Sequence, residues 1–222
     1  MRNESTVKIN IIRHGKTPLN EKHCYIGSTD ESLSDVGIKE IEDNVKKSVY
    51  KKTDRVFVSP MKRAMETSRI IYPNASVNII DEFREMDFGS FEGKNYNELK
   101  DDAYYRKWID ESRGIEKDEI DSLYGGLVPA NLLGITLPES MESFKNRTIN
   151  GLKKVINLSK GEDATIVAHG GTIMMISSLC LDGEYYNYMV KNGDGVEAEI
   201  AYTDNNGNIE ISRVSLNNRI CS

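Results

Sequence analysis

The sequence predicts an α/β fold: a three-layer α/β/α sandwich with a mostly parallel sheet, a helical and loop insertion, and a C-terminal β-hairpin. Three observations carry this. Short β-branched runs alternate with amphipathic helical stretches up to residue 80 and again from 138 to 181. Residues 95–137 interrupt that alternation with no clear period. The tail from Val196 onward switches to a period of two.

Residues 7–12 (VKINII) are apolar and β-branched and run directly into Arg13-His14-Gly15, which marks a first strand. Ser34 can cap a helix running to about Tyr50, with Ile38, Ile41, Val45 and Val49 on one face. Residues 55–59 (RVFVS) form a second short strand. Pro60 follows, where a first helical residue tolerates proline, and opens a helix to about Tyr72. Pro73-Asn74 ends it, and residues 76–80 make a third strand.

Residues 81–93 carry Gly89 and Gly93 and read as a loop. A helical piece is expected at 96–111 and a glycine-rich stretch at 124–134. A long helix follows Pro138, with Met141, Phe144, Leu152 and Val155 in phase. Residues 164–168 (ATIVA) form a fourth strand, and His169-Gly170-Gly171 then opens a helix to about Leu181. Val196, Ala198, Ile200 and Tyr202 alternate, as do Ile209 and Ile211, and Asp204-Asn205-Asn206-Gly207 between them marks a hairpin turn.

At 222 residues the chain fits a single domain, residues 1–222, with the insertion at 95–137 expected to form a cap over the site. Apolar residues are 38% and charged residues 29%, which excludes a disordered chain. A net charge of -6 argues against nucleic acid as a partner but not against a small anionic ligand. No apolar stretch reaches the ~20 residues of a membrane span, and the first six residues hold no hydrophobic signal core. Cys24, Cys180 and Cys221 are odd in number and lack a Cys-x-x-Cys pair, so they read as free thiols in a reducing cytoplasm. Nothing in the sequence speaks against a homodimer.

In parallel sheets, sites form beyond the carboxyl ends of the strands. Arg13, His14 and Asn20 follow strand one, and Ser59, Pro60 and Arg63 follow strand two. Arg84, Glu85 and Asp87 follow strand three, and His169 with two glycines follows strand four. Two of the chain's three histidines thus stand at strand ends beside arginines. Arginine forks match phosphate oxygens, and the amides of Gly170 and Gly171 at a helix N-terminus favour an anion. A histidine among such donors can attack phosphorus, and a carboxylic acid nearby can protonate the departing oxygen. Glu82, Asp87 and Glu92 compete with Glu85 for that last role. Tyr104, Tyr105 and Trp108 read as core of the insertion more than as a substrate platform. No carboxylate or His/Cys cluster has metal-ligand spacing, so neither a catalytic metal nor another cofactor is expected.

Taken together, four segments resemble the histidine phosphatase superfamily, the phosphoglycerate mutase-like fold. Residues 13–20 (RHGKTPLN) resemble its R-H-G-x-T-x-x-N signature, and residues 59–67 (SPMKRAMET) its S-P-x-x-R-A-x-x-T helix start. Residues 84–93 (REMDFGSFEG) resemble the acid loop, and Ala168-His169-Gly170-Gly171 the second-histidine motif. Pro138-Glu139-Ser140 resembles the G-E-S before the fourth strand, although Leu137-Pro138 stands where the family often has Gly-Gly. The resemblance implies His14 as nucleophile, Glu85 as proton donor, and Arg13, Asn20, Arg63 and His169 as a phosphate pocket, extended by Gly27, Gly170 and Gly171. It implies a metal-independent phosphomonoesterase acting on a small phosphorylated metabolite through a phosphohistidine. Residues 25–33 (YIGSTDESL) are similar to a segment of α-ribazole phosphatase-like members, which puts α-ribazole 5′-phosphate first among substrates. A mutase, a fructose-2,6-bisphosphatase-like enzyme and an inactive phospho-ligand binder are the alternatives. The acidic residues of the insertion favour a phosphatase over a mutase.

Overall fold

In the computed structural model, residues 4–180 and 185–220 are described. Cys221, the first three residues and the expected helix end at Leu181 lie outside them. A six-stranded sheet runs in the order β3-β2-β4-β1-β5-β6. The strands are β1 (Ser5–Arg13), β2 (Val56–Val58), β3 (Val77–Ile79), β4 (Ala164–Ala168), β5 (Gly195–Asn205) and β6 (Asn208–Arg219). The first four are parallel to one another, and the β5–β6 hairpin adds antiparallel to β1. Its turn, Asn206-Gly207, has φ of 55° and 89°, the left-handed pair that matches strand twist.

Among the described residues the α-helices are α1 (Pro18–Glu21), α2 (Asp35–Lys46), α3 (Lys62–Ile71), α4 (Tyr96–Leu99), α5 (Ala103–Ser112), α6 (Lys117–Tyr124), α7 (Met141–Leu158) and α8 (Gly170–Ser178). Because strand side chains alternate between faces, neighbouring residues feed different cores. Ile12, Val56, Val58 and Val167 pack with Ile41 of α2 and Ala64 of α3. Ile11, Phe57 and Ile166 pack on the other face with Leu152 and Val155 of α7 and Ile173 and Ile176 of α8. The two cores make the three layers. A third cluster holds Met86, Phe91, Leu99, Tyr105, Trp108, Phe144 and Met175, and roots α4 and α5 on the main body.

Some elements depart from the sequence expectation. Ser34 does cap α2, accepting from the Gly37 amide, but the helix stops at Lys46, and Val45 stays 37% exposed. Pro60 lies outside α3, whose N-cap is Met61. The expected helix at 96–111 is two helices, because Asp102 caps a fresh start by accepting from the Tyr104 and Tyr105 amides. Helix α6 was not expected: of its residues only Ile120 is buried, which leaves little apolar period to read.

Candidate active site

β1 and β4 are neighbours, so the two histidines that end them come together. The His14 amide donates to the Ala168 carbonyl at 2.9 Å, and the rings of His14 and His169 lie 5.1 Å apart between centroids. His14 is 3% exposed and His169 is fully buried. A cavity of about 370 Å³ opens there, lined by Arg13, His14, Asn20, Glu85, Gly170 and Gly171 at its polar end.

The partners of His14 define its tautomer. Its Nδ1 lies 2.7 Å from the Gly15 carbonyl, which can only accept, so Nδ1 carries the proton and Nε2 keeps its lone pair. Burial, then the charges of Arg63 and Arg13, hold the His14 pKa well below its ordinary value, against the smaller pull of the Gly15 carbonyl. The ring is therefore neutral and nucleophilic. Gly15 itself is held by its amide on Thr67 Oγ1 at 3.0 Å.

Arg63 has no exposure to solvent. Its Nη1 donates to the Thr29 carbonyl at 2.7 Å, its Nη2 to the Gly27 carbonyl at 2.9 Å, and its Nε to His169 Nδ1 at 3.2 Å. His169 thus accepts at Nδ1 and donates from Nε2 to Ser59 Oγ at 2.7 Å. Both its ring nitrogens are engaged, so in this arrangement it orients Arg63. Burial, Arg63 and His14 hold its pKa well below the usual value. Gly27 lies outside the cavity that His14 lines. Its carbonyl fixes Arg63, and a Cβ there would sit 1.9 Å from the Met86 carbonyl oxygen.

Arg13 donates to the Val190 carbonyl at 2.7 Å, while its buried Nε has no partner among the described residues. It lines the cavity, so this donor suits an anion that would complete it. Asn20 accepts the Thr17 amide and Asn192 Nδ2, both at 3.2 Å, through Oδ1. Its Nδ2 has no protein partner among these bonds. Asn192 also donates to the His14 carbonyl at 3.1 Å, a contact with no counterpart in the strand-end pattern of the sequence.

Among the described residues lining the cavity, Glu85 is the one carboxylate. The Gly171 amide donates to Oε2 and the Met86 amide to Oε1, each at 2.9 Å. The start of α8 therefore holds Glu85 itself, not a free anion as the sequence suggested for Gly171. A Cβ at Gly171 would fall 2.2 Å from Glu85 Oε1, and one at Gly170 would fall 3.2 Å from the Arg13 guanidinium carbon. Burial raises the Glu85 pKa above the ordinary carboxyl value, against the amide bonds and arginines that lower it. The rival carboxylates are engaged elsewhere. Glu92 accepts from the amides and hydroxyls of Ser28 and Thr29, the loop whose carbonyls hold Arg63. Glu82 takes Lys154, and Asp87 accepts the Gly89 amide.

The backbone of the acid loop hangs on Arg147. It pairs with both oxygens of Glu139, at 2.8 and 2.7 Å, and donates to the carbonyls of Glu82, Arg84 and Glu85 at 2.8, 2.6 and 2.9 Å. The sequence reading did not find Arg147, whose contacts are mostly to backbone. It also missed Tyr185, which lines the cavity with its hydroxyl near Gly171 and Glu85. Among the described residues, no three His, Cys, Asp or Glu side chains are grouped to hold a metal. No helix among them is long and apolar enough to cross a membrane.

The model of the histidine phosphatase superfamily (branch 1) matches residues 9–207. The chain belongs to this superfamily. A phosphoglycerate mutase from Schizosaccharomyces pombe is 29% identical over 202 residues, covering 86% of this chain and 87% of that protein. An adenosylcobalamin/α-ribazole phosphatase from Salmonella typhimurium is 24% identical over 170 residues, covering 75% of each. The crystal structure of a phosphoserine phosphatase from Entamoeba histolytica in complex with 3-phosphoglyceric acid superposes with a TM-score of 0.66. It covers 96% of this chain and 97% of that one at 24% identity. Superfamily members of this kind are phosphatases and phosphoglycerate mutases, and this chain is an enzyme of that class.

Two buried neutral histidines make stability depend on pH. Their folded pKa values lie below the unfolded value near 6.5, so the unfolded chain binds the extra protons and stability falls as pH drops below about 6.5. Glu85, shifted the other way, offsets at most one of them. Urea unfolding should show a loss on going from about pH 7.5 to about pH 5.5, with a slope of up to about 1.4 kcal/mol per pH unit per uncompensated histidine. His169→Asn should flatten that slope.

Arg147→Met should lower kcat by about 10²-fold with KM little changed, because displacing this loop misplaces the one carboxylate among the described residues lining the cavity. Steady-state kinetics on an alkyl phosphate and on p-nitrophenyl phosphate should show the larger loss on the alkyl ester. Arg147→Lys should recover part of it.

Proposed function

We propose that the chain is a metal-independent phosphomonoesterase acting in two steps on a small phosphorylated metabolite. The observation that carries this is the neutral His14, with its Nδ1 tied to the Gly15 carbonyl and its Nε2 lone pair kept beside two guanidinium groups. Nε2 attacks phosphorus in line, the bond to the alcohol oxygen breaks, and Glu85 gives that oxygen its proton. Water then attacks the phosphohistidine. Glu85, now ionised, takes the proton, the phosphorus–nitrogen bond breaks, and its electron pair returns to Nε2. Arg13 and Asn20 meet the phosphoryl oxygens as charge shifts among them, and the charge of Arg63 acts from behind the cavity wall. The raised pKa of Glu85 suits the acid role near neutrality.

The lining of the cavity supports hydrolysis over phosphoryl return. Arg13 is its one guanidinium and no lysine joins it among the described residues, so a second phosphate or a carboxylate on the substrate finds little to meet it. That weighs against the mutase and fructose-2,6-bisphosphatase-like readings. α-Ribazole 5′-phosphate heads the candidate substrates, on the resemblance of residues 25–33 and the named activity of the Salmonella relative. Residues 95–137 serve as the cap, since Tyr96 and Trp108 reach the same cavity.

Rapid quench with a ³²P-labelled substrate should trap acid-labile label that is absent in His14→Ala. Glu85→Gln should slow phosphorylation of His14 by alkyl phosphates by about 10²–10⁴-fold. It should spare p-nitrophenyl phosphate, whose leaving group needs no proton, and show a burst followed by slow turnover. Label persisting in His14→Ala, or equal losses on both esters, contradicts these assignments. Activity that survives thorough chelation is expected in the same assays.

A further inference from the structure

Beyond its polar end the cavity is aromatic. Tyr25, Phe88, Tyr96, Trp108 and Tyr186 line it, with Met174 and Met189. Trp108 meets Tyr25 and Phe88 edge to face, at 5.9 and 5.8 Å between ring centroids and 84° in both cases. Two of the tyrosine hydroxyls are spent inside the protein. Tyr25 pairs with the Tyr105 hydroxyl and Tyr186 with Ser112 Oγ, each at 2.7 Å. Burial and the bond to Tyr105 also push the Tyr25 pKa up, so it stays an uncharged ring. The Tyr96 and Tyr185 side chains line the cavity as well. The Nε1–H of Trp108 is buried and has no hydrogen-bond partner among the described residues.

An aromatic wall with two of its hydroxyls already engaged offers less to a polyol than to a ring, and the absence of lysine among the described lining residues offers little to a second anion. Flat, uncharged rings suit such a wall, stacking or meeting it edge to face. From this we infer that the aromatic part of the cavity is a subsite for a flat, uncharged ring on the leaving alcohol, packed against the Trp108 ring. Trp108 is then the specificity-determining residue. The inference rests on the phosphomonoesterase reading for the orientation of the substrate, with its phosphate at Arg13 and His14 and its alcohol toward Trp108. About 370 Å³ is within the range that encloses a small organic ligand.

Trp108 is the chain's single tryptophan, so its fluorescence reports on the subsite directly. His14→Ala, which cannot form the phosphoenzyme, should be titrated with adenosine 5′-monophosphate, benzyl phosphate, glycerol 3-phosphate and 3-phosphoglycerate. The two ring esters should change the emission and bind at least about tenfold tighter than the two without rings, a difference of about 1.4 kcal/mol. By calorimetry, His14→Ala/Trp108→Leu should lose most of that preference while its affinity for inorganic phosphate stays the same. If that variant does not fold, His14→Ala/Trp108→Phe keeps an aromatic ring of smaller area in its place. It should weaken both ring esters, by less than the leucine variant, and leave inorganic phosphate unchanged. Equal affinity for all four esters, or a ring preference untouched by the Trp108 substitution, overturns the subsite. The two readings fail separately. A wild-type phosphohistidine with no ring preference sinks the subsite alone, and a ring preference with no phosphohistidine sinks the two-step reaction alone.

Discussion

A fully buried arginine with no carboxylate among its hydrogen-bond partners governs the rest of the site. Arg63 donates to two carbonyls and a histidine nitrogen, all uncharged. Leaving a cation buried without a counter-charge costs several kcal/mol, so its surroundings must answer it. They do so in three ways. His14 and His169 stay neutral, because a second and third positive charge there would be repelled. Glu85 lies within reach of the same field, and its charge supports that of both Arg63 and Arg13. Asp30, Glu92 and Glu31 add further negative charge around it. The charge that is costly to bury is also the charge that keeps His14 unprotonated.

Holding that cation takes much of the molecule. The parallel pairing of β1 with β4 sets His14 beside His169, and Ser59 at the end of β2 fixes the His169 tautomer that accepts from Arg63. Glu92 grips the 28–29 loop whose neighbouring carbonyls receive the guanidinium. Arg147 and Glu139 do for the Glu85 loop what Glu92 does for this one. Residues far apart in sequence thus act on a few backbone carbonyls. Their carboxylates and guanidiniums hold backbone, although Glu92 competes with Glu85 when read from the chain alone.

What the sequence made legible follows from what is local. Strand β4 was readable at both ends because five buried residues are flanked by charge on one side and His-Gly-Gly on the other. The strand-end rule groups Arg13, His14, Glu85 and His169; the first three line one cavity, and His169 lies beside His14 behind it. It did not show that Gly171 serves Glu85, or that His169 points its nitrogens at Ser59 and Arg63, because hydrogen-bond direction depends on partners a hundred residues away. Helix α6 escaped because one buried isoleucine makes no period. Asn192 and Tyr185 escaped because they follow α8 in a short 3₁₀ turn and a loop, where position carries no signal. Trp108 was read as core, and at 8% exposure it is, but the same ring also lines the cavity.

The account stands on the protonation of one ring. ¹⁵N NMR of the imidazole nitrogens, with His14→Ala used to assign the His14 signals among the chain's three histidines, reads it directly. At neutral pH the account predicts a neutral His14 with the proton on Nδ1, an Nε2 resonance typical of a bare nitrogen, and a midpoint well below that of a free histidine. An imidazolium at pH near 6.5, or a neutral ring protonated at Nε2, would contradict it.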